Sequence, residues 1–426
     1  MFLKILFTLF FIYASFAANC FGQVDYIDIN SPGMRKIPIA IPNFQSNSSD
    51  SLAVEAARAV SSALDFTGYF RSVGDGSSIN NVDNIILQNW WIDMGAEMLV
   101  AGKIDKNNGK IEVELRLFDV LSERLLIGKK YRGAQDQLRE ILLKFCTEII
   151  YRLTGNRGIF FSKIAFVSKN SGKKEIYVCE FDGYNSRPVT KYNSISTTPA
   201  WSDDGSHLAY TSFKKGKADI IIKNIQDNSE IIINKKGTNI TPAWVRGKFE
   251  LTASLSFSGD PEIYLLTGKG KIIKRLTRQA GIDVSPSWAP DGRNFVFVSR
   301  KTGKPQLYIG NYLTGEFHRL TYEHNYNQEP CWSPKGDKIA FTTLVEGRTN
   351  VFVINTDGGG LTRLTYGGGD NESPSWAPDG SLIVFASTKE GPSGLYVISL
   401  HGKEQRRLLN LPGEQTSPAW SPALNK

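Results

Sequence analysis

Residues 286–321 read PSWAPDGRNFVFVSRKTGKPQLYIGNYLTGEFHRLT. Ser287-Trp288-Ala289 predicts a short strand, and Pro290-Asp291-Gly292 a tight turn that uses the tolerance of glycine for positive φ. Residues 294–299 place Phe295, Phe297 and Ser299 on one face, the period of a second strand. A turn at 301–304 leads to a third strand over 306–311, and Thr314-Gly315 turns into a fourth over 317–321.

The pattern recurs on both sides. Pro-x-Trp stands at Pro199/Trp201, Pro242/Trp244, Pro286/Trp288, Pro330/Trp332, Pro374/Trp376 and Pro418/Trp420, and successive tryptophans lie 43, 44, 44, 44 and 44 residues apart. Second strands recur at 163–168, 207–213, 249–257, 338–344 and 382–388. A four-stranded unit of this period predicts a β-propeller. The repeats open at Phe160 directly on a second strand and end at 418–421 on a first strand. Six second strands match six first strands only if 417–421 joins the sheet begun at Phe160. A six-bladed propeller over 158–426, closed by the C-terminal strand, leaves no open edge. Tryptophans in six equivalent places read as inter-blade packing.

Upstream, 37–41 reads as a strand, 52–64 as an alanine-rich helix and 69–73 as a strand. A second helix is predicted over 82–94, then strands over 97–104, 111–120 and 124–131. In the middle strand Ile111, Val113, Leu115 and Leu117 alternate with Glu112, Glu114 and Arg116. A helix over 135–153 follows, with Leu138, Ile141, Leu142, Phe145 and Ile149 as its stripe and Gly155 as its cap. Residues 23–157 are expected to form an α+β domain in which one of Trp90 and Trp91 packs inward. The chain is thus multidomain, α+β followed by all-β.

The chain has 426 residues and a formal net charge of +8. Residues 1–22 read as a secretory signal, with Lys4, an apolar run over 5–16 and small residues up to Gly22. Cys20, preceded by Asn19 and Ala17, fits a lipid-anchoring signal poorly. Cys146, Cys179 and Cys331 suggest neither a disulfide framework nor a zinc site. Lys214, Lys215 and Lys217, and Lys235 and Lys236, sit at predicted hairpin tips, and no nucleic-acid motif accompanies them. Nucleic acid is not an expected partner.

His207, His318, His324 and His401 fall on different strands and loops, and no nucleophile elbow, phosphate loop or calcium loop occurs. No catalytic residue, metal or cofactor is expected. Binding usually resides in loops on a rigid scaffold, and here a loop crosses to the next blade before each Pro-x-Trp. The last residues of these crossings should ring one mouth of the central channel. They are residues 196–198, 239–241, 283–285, 327–329, 371–373 and 415–417; among them stand Thr197 and Thr198, Asn239 and Thr241, Asp283 and Ser285, Asn327 and Glu329, Asn371 and Glu372, and Gln415 and Thr416. These are the expected partner-binding residues, with hydrogen bonding inside the loops as the competing role.

Pro-Ser-Trp-Ala-Pro-Asp-Gly at 286–292 and 374–380 resembles the repeat of the TolB family, periplasmic propellers of the Tol-Pal system. Ile37-Pro38-Ile39-Ala40, Thr67-Gly68-Tyr69-Phe70, the 95–104 segment and Leu153-Thr154-Gly155-Asn156-Arg157-Gly158-Ile159-Phe160 resemble the family's first domain, in its order. The resemblance implies a scaffold, a monomer held peripherally in the periplasmic envelope. Its channel mouth would bind the peptidoglycan-associated lipoprotein Pal. Its mature N-terminus, Gln23-Val24-Asp25-Tyr26-Ile27-Asp28-Ile29-Asn30, would contact the inner-membrane protein TolA. The system maintains outer-membrane integrity and supports constriction at division. Two turns depart from the family's pattern, at Trp244-Val245-Arg246-Gly247 and after Trp201. A propeller hydrolase and the regulatory propeller of a serine peptidase are the rival classes, although the few residues after Trp420 leave no room for a hydrolase domain.

Overall fold

The computed structural model describes residues 35–424 apart from 48–49, 75–89, 108, 171, 279 and 401–403. The signal segment, residues 23–30 and most of the helix expected over 82–94 lie outside the described residues. The first unit runs β1 (Ile37–Ala40), β2 (Gln45–Ser46), α1 (Asp50–Phe66), β3 (Phe70–Val73), the single turn α2 (Trp90–Asp93), β4 (Met98–Asn107), β5 (Lys110–Asp119), β6 (Arg124–Ala134) and α3 (Leu138–Thr154).

Ile111, Val113, Leu115 and Leu117 are all buried, so the alternation in the sequence fixes the core face of β5. The sheet order is β3-β1-β4-β5-β6, with β1 parallel to both neighbours and α1 as the crossover. Ala53, Ala56, Ala57, Val60, Ala63 and Leu64 form the buried stripe of α1. These small side chains let the helix lie close to the sheet. Gly155 ends α3 at φ 73°, and its N–H donates to the Tyr151 carbonyl at 2.9 Å. Trp91 packs inward with Leu99 and Phe118.

Six four-stranded antiparallel sheets follow. Their innermost strands are Ser196–Trp201, Asn239–Trp244, Asp283–Trp288, Asn327–Trp332, Asn371–Trp376 and Gln415–Trp420. Second strands are covered on both faces by neighbouring blades, which is why Leu382–Ser387 is buried at every residue. Gln415–Trp420 pairs antiparallel with Lys163–Ser168, joining Gln415 to Ser168 and Trp420 to Ile164. The ring therefore closes with one strand from the C-terminal end and three from the start of the repeats, as the strand count implies.

The six repeated tryptophans are 4–7% exposed. Indole N–H groups of Trp201, Trp244 and Trp376 donate to the carbonyls of Ala419, Ala200 and Cys331 in the preceding blade, at 3.1, 3.1 and 3.0 Å. Packing and hydrogen bonding together bolt each of these blades to its neighbour.

One hydrophobic core runs from the helices into the propeller. Phe66 and Phe160 each meet Phe181 edge-on at 5.4 Å. Arg406 donates to the Asp65 and Phe66 carbonyls at the end of α1, at 3.1 and 2.6 Å. Arg139 of α3 binds Glu180 at 2.9 Å and Asp182 at 2.7 Å, and the Tyr69 hydroxyl donates to Asp379 at 3.3 Å.

Candidate functional site: the channel mouth

In every innermost strand the residue before proline has positive φ: Thr198, Thr241, Ser285, Glu329, Ser373 and Ser417 lie between 49° and 54°. Thr197 pairs with Thr211 while Ala200 pairs with Ala209, so the first strand spends one residue more than its partner. The same shift occurs in the other five sheets. Each is a β-bulge, and proline fits it because it has no N–H to give the ladder. The six bulge residues line a central channel of about 400 Å³ that continues to Asp203 and Arg246 at the far end.

A left-handed conformation costs a non-glycine residue roughly 1–2 kcal/mol. Hydrogen bonds hold the bulges against it. Ser285 N–H donates to Thr241 Oγ1 at 3.2 Å, and Thr241 shares a hydroxyl bond with Ser254 at 2.9 Å. Glu329 accepts from Ser373 N–H at 2.8 Å, from the Ser373 hydroxyl at 3.0 Å and from the Thr342 hydroxyl at 3.0 Å. Its carboxylate thereby clamps the bulge of the next blade.

Glu372 precedes that bulge, is exposed, and accepts from the Thr349 hydroxyl at 3.1 Å. Asp370 accepts the Thr349 N–H at 3.0 Å. Partial desolvation, then the charge of Glu329 and that of Asp370, hold the Glu372 carboxyl above the usual carboxylate range. Among the described residues, Glu329, Glu372 and Asp370 have no ion pair, whereas Asp203 at the opposite mouth is paired with Arg246 at 3.1 Å. Also among the described residues, no three His, Cys, Asp or Glu side chains gather as a metal site.

The expected partner-binding residues fall into three groups. Thr198, Thr241, Ser285 and Glu329 line the channel. Thr197, Glu372 and Thr416 stand one residue earlier on their strands. Asn239, Asp283, Asn327, Asn371 and Gln415 occupy the first strand position and are 0–1% exposed. The crossings were expected to reach the mouth as loops. Instead their last residues form the first half of six-residue strands, and buried amides fasten the loops behind them. Asn239 donates to the Lys235 carbonyl at 2.9 Å, Asn327 to that of Glu323 at 3.0 Å and Gln415 to that of Gly413 at 2.8 Å.

Ser373 and Ser417, expected at the mouth though not among the partner-binding residues, complete the ring of bulges. Lys235 and Lys236, expected at a hairpin tip, follow the fourth strand Glu230–Ile233 on the way to the next blade. The departure at Val245 leaves the turn in place: Lys248 N–H donates to the Val245 carbonyl at 3.4 Å, and Gly247 takes φ 71°.

Residues 150–424 match the family model described as the TolB beta propeller domain, and residues 25–126 that of the TolB amino-terminal domain. The chain belongs to the TolB family. The Tol-Pal system protein TolB of Desulfosudis oleivorans is 47% identical over 275 residues, 62% of this chain and 63% of that protein. A TolB homolog from Chlorobium chlorochromatii is 42% identical over 275 residues, 61% of this chain and 60% of that protein. The matched stretch thus spans less than two thirds of either relative. The crystal structure of TolB from Acinetobacter baumannii is similar over 93% of this chain and 99% of that one, with a TM-score of 0.81 and 27% identity. The TolB-family likeness therefore extends over both units, not over the repeats alone.

Proposed function

We propose that this TolB-family protein is a periplasmic, non-catalytic scaffold of the Tol-Pal system that binds the lipoprotein Pal at the channel mouth where the innermost strands begin. One observation carries this: the ring of bulge residues is held rigid by hydrogen bonds, yet beside it stand carboxylates with no counter-ion among the described residues. A surface ordered in advance loses little side-chain freedom on association. The Tol-Pal assignment rests on kinship with a protein named as belonging to that system. Residues 23–30 would reach TolA and so link the lipoprotein to the inner-membrane complex, in support of outer-membrane integrity and of constriction at division. The scaffold acts as a monomer, peripheral to the envelope and without a cofactor.

The test is recovery of the lipoprotein from an envelope extract by the full chain and by a Glu329→Ala/Glu372→Ala variant. Asn327 and Asn371 stay unchanged because they lie buried behind the mouth. Recovery by the wild type and loss by the variant are expected. Equal recovery would overturn the site, and no lipoprotein with either would overturn the function.

A further inference from the structure

Each innermost strand starts on a buried polar residue, Ser196, Asn239, Asp283, Asn327, Asn371 or Gln415, at most 1% exposed. Where that residue is an amide, its nitrogen donates to carbonyls of the crossing behind it. In three blades the acceptors include the glycine two residues upstream: Asn239 bonds Gly237 at 3.4 Å, Asn371 bonds Gly369 at 3.5 Å and Gln415 bonds Gly413 at 2.8 Å. The amide also faces the polar residue that opens a third strand. Asn327 donates to Gln306 at 2.9 Å, and Asn239 to Asp219 at 3.3 Å.

The blade begun by Asp283 breaks this pattern. Gly281 stands at the matching place with φ 108°, but an ionised carboxylate has no proton to donate to it. Among the described residues Asp283 Oδ1 has no hydrogen-bond partner, as is also true of the side-chain oxygens of Asn239, Asn327, Asn371 and Gln415, so what sets Asp283 apart is the missing N–H donor. The residue opening the third strand behind it is Glu262, 3% exposed, which already accepts from Arg275 at 2.9 Å and from the Thr277 hydroxyl at 2.6 Å. A carboxylate thus stands beside the charge of Glu262 where four of the other five blades place an amide and one a serine.

We propose that Asp283 is a proton-dependent latch at the partner-side mouth. Protonated, it donates the hydrogen bond that asparagine or glutamine donates in four of the other blades. Ionised, it faces Glu262 with no donor to offer and frees the segment that leads into its strand. The charged groups around it are Glu262 from the third strand, Lys301 after the second strand and, through Glu262, Arg275 from the fourth. Burial pushes its carboxyl up to about 6; hydroxyls of Ser299 and Thr277 oppose this, Glu262 adds to it, and Lys301 opposes it. An unfolded aspartic acid titrates near about 3.9. Because the folded value is the higher one, the latch's contribution to stability is complete below about pH 4 and is lost as pH rises through about 6. The role at the mouth rests on the scaffold reading above, but the test needs no partner and can fail by itself.

Thermal unfolding of the full chain is followed at pH 5 and pH 7.5 for wild type, Asp283→Asn and Asn327→Asp. Asp283→Asn melts above wild type at pH 5 and further above it at pH 7.5. The gap in the unfolding equilibrium widens by about tenfold between these two pH values. Asn327→Asp transplants the loss, becoming less stable than wild type chiefly at pH 7.5. A parallel pH profile for Asp283→Asn and wild type overturns the latch, as does a variant less stable at both pH values. If Asp283→Asn fails to fold, hydrogen exchange of the wild type decides. The Asp283 and Arg300 amides, bonded to the Pro261 and Ile282 carbonyls, must lose protection relative to intrinsic rates between pH 5 and 7.5. Constant protection overturns the proposal.

Discussion

Glu329 joins two blades through one carboxylate, accepting from Thr342 in its own sheet and from Ser373 in the next. Truncation leaves the Ser373 N–H with only the Thr342 hydroxyl at 3.2 Å as acceptor. Glu329→Ala is expected to cost about 1–3 kcal/mol in urea unfolding, without loss of the fold. The three described cysteines make a second prediction at this scale. Burial pushes the thiols of Cys146, Cys179 and Cys331 all up, and Cys146 and Cys179 are not exposed. Cys331 is half-buried in the channel wall, so a small maleimide followed by mass spectrometry should label it before either of the others. Faster labelling of Cys146 or Cys179 in the folded protein would contradict the packing described.

Between elements, two contacts are set against the entropy of separate parts. Gln415–Trp420 closes the ring, and a chain ending before Gln415 leaves Lys163–Ser168 as a bare apolar edge. That truncation is expected to lose cooperative unfolding and to aggregate on size-exclusion chromatography. Arg406 caps α1 from the propeller side with two charge-assisted bonds worth about 1.5–3 kcal/mol each. Arg406→Ala should split one calorimetric transition into two, with the N-terminal unit melting first. Much of this level was legible in the sequence, because Trp spacing and apolar alternation are set by the periods of blades and strands. The helix stripe of α3 and its glycine cap were legible for the same reason. The bulges were not: serine, threonine and glutamate carry no mark of positive φ, and only the surrounding ladder imposes it. Nor was the burial of Asn239, Asn327 and Gln415, since a polar residue at a strand start looks the same in sequence whether it fastens a loop or meets a partner.

At the scale of the whole molecule the two ends of the channel differ. The N-terminal unit meets the propeller at Asp379 in a first-to-second-strand turn, and at Glu180 and Asp182 where a third strand ends. These points lie at the opposite end of the sheets from the starts of the innermost strands. Among the described residues, the mouth with unpaired carboxylates is thus the one away from these contacts. In the proposed scaffold role, this mouth holds the lipoprotein. The most direct test of that role is calorimetric titration of the full chain with the soluble domain of Pal. The Glu329→Ala/Glu372→Ala variant should bind at least about tenfold more weakly than wild type, or roughly 1.4 kcal/mol, while Asp203→Ala at the opposite mouth stays within about twofold. Unchanged affinity in the double variant, with a tenfold loss in Asp203→Ala, would place the partner at the other end of the channel and contradict the account.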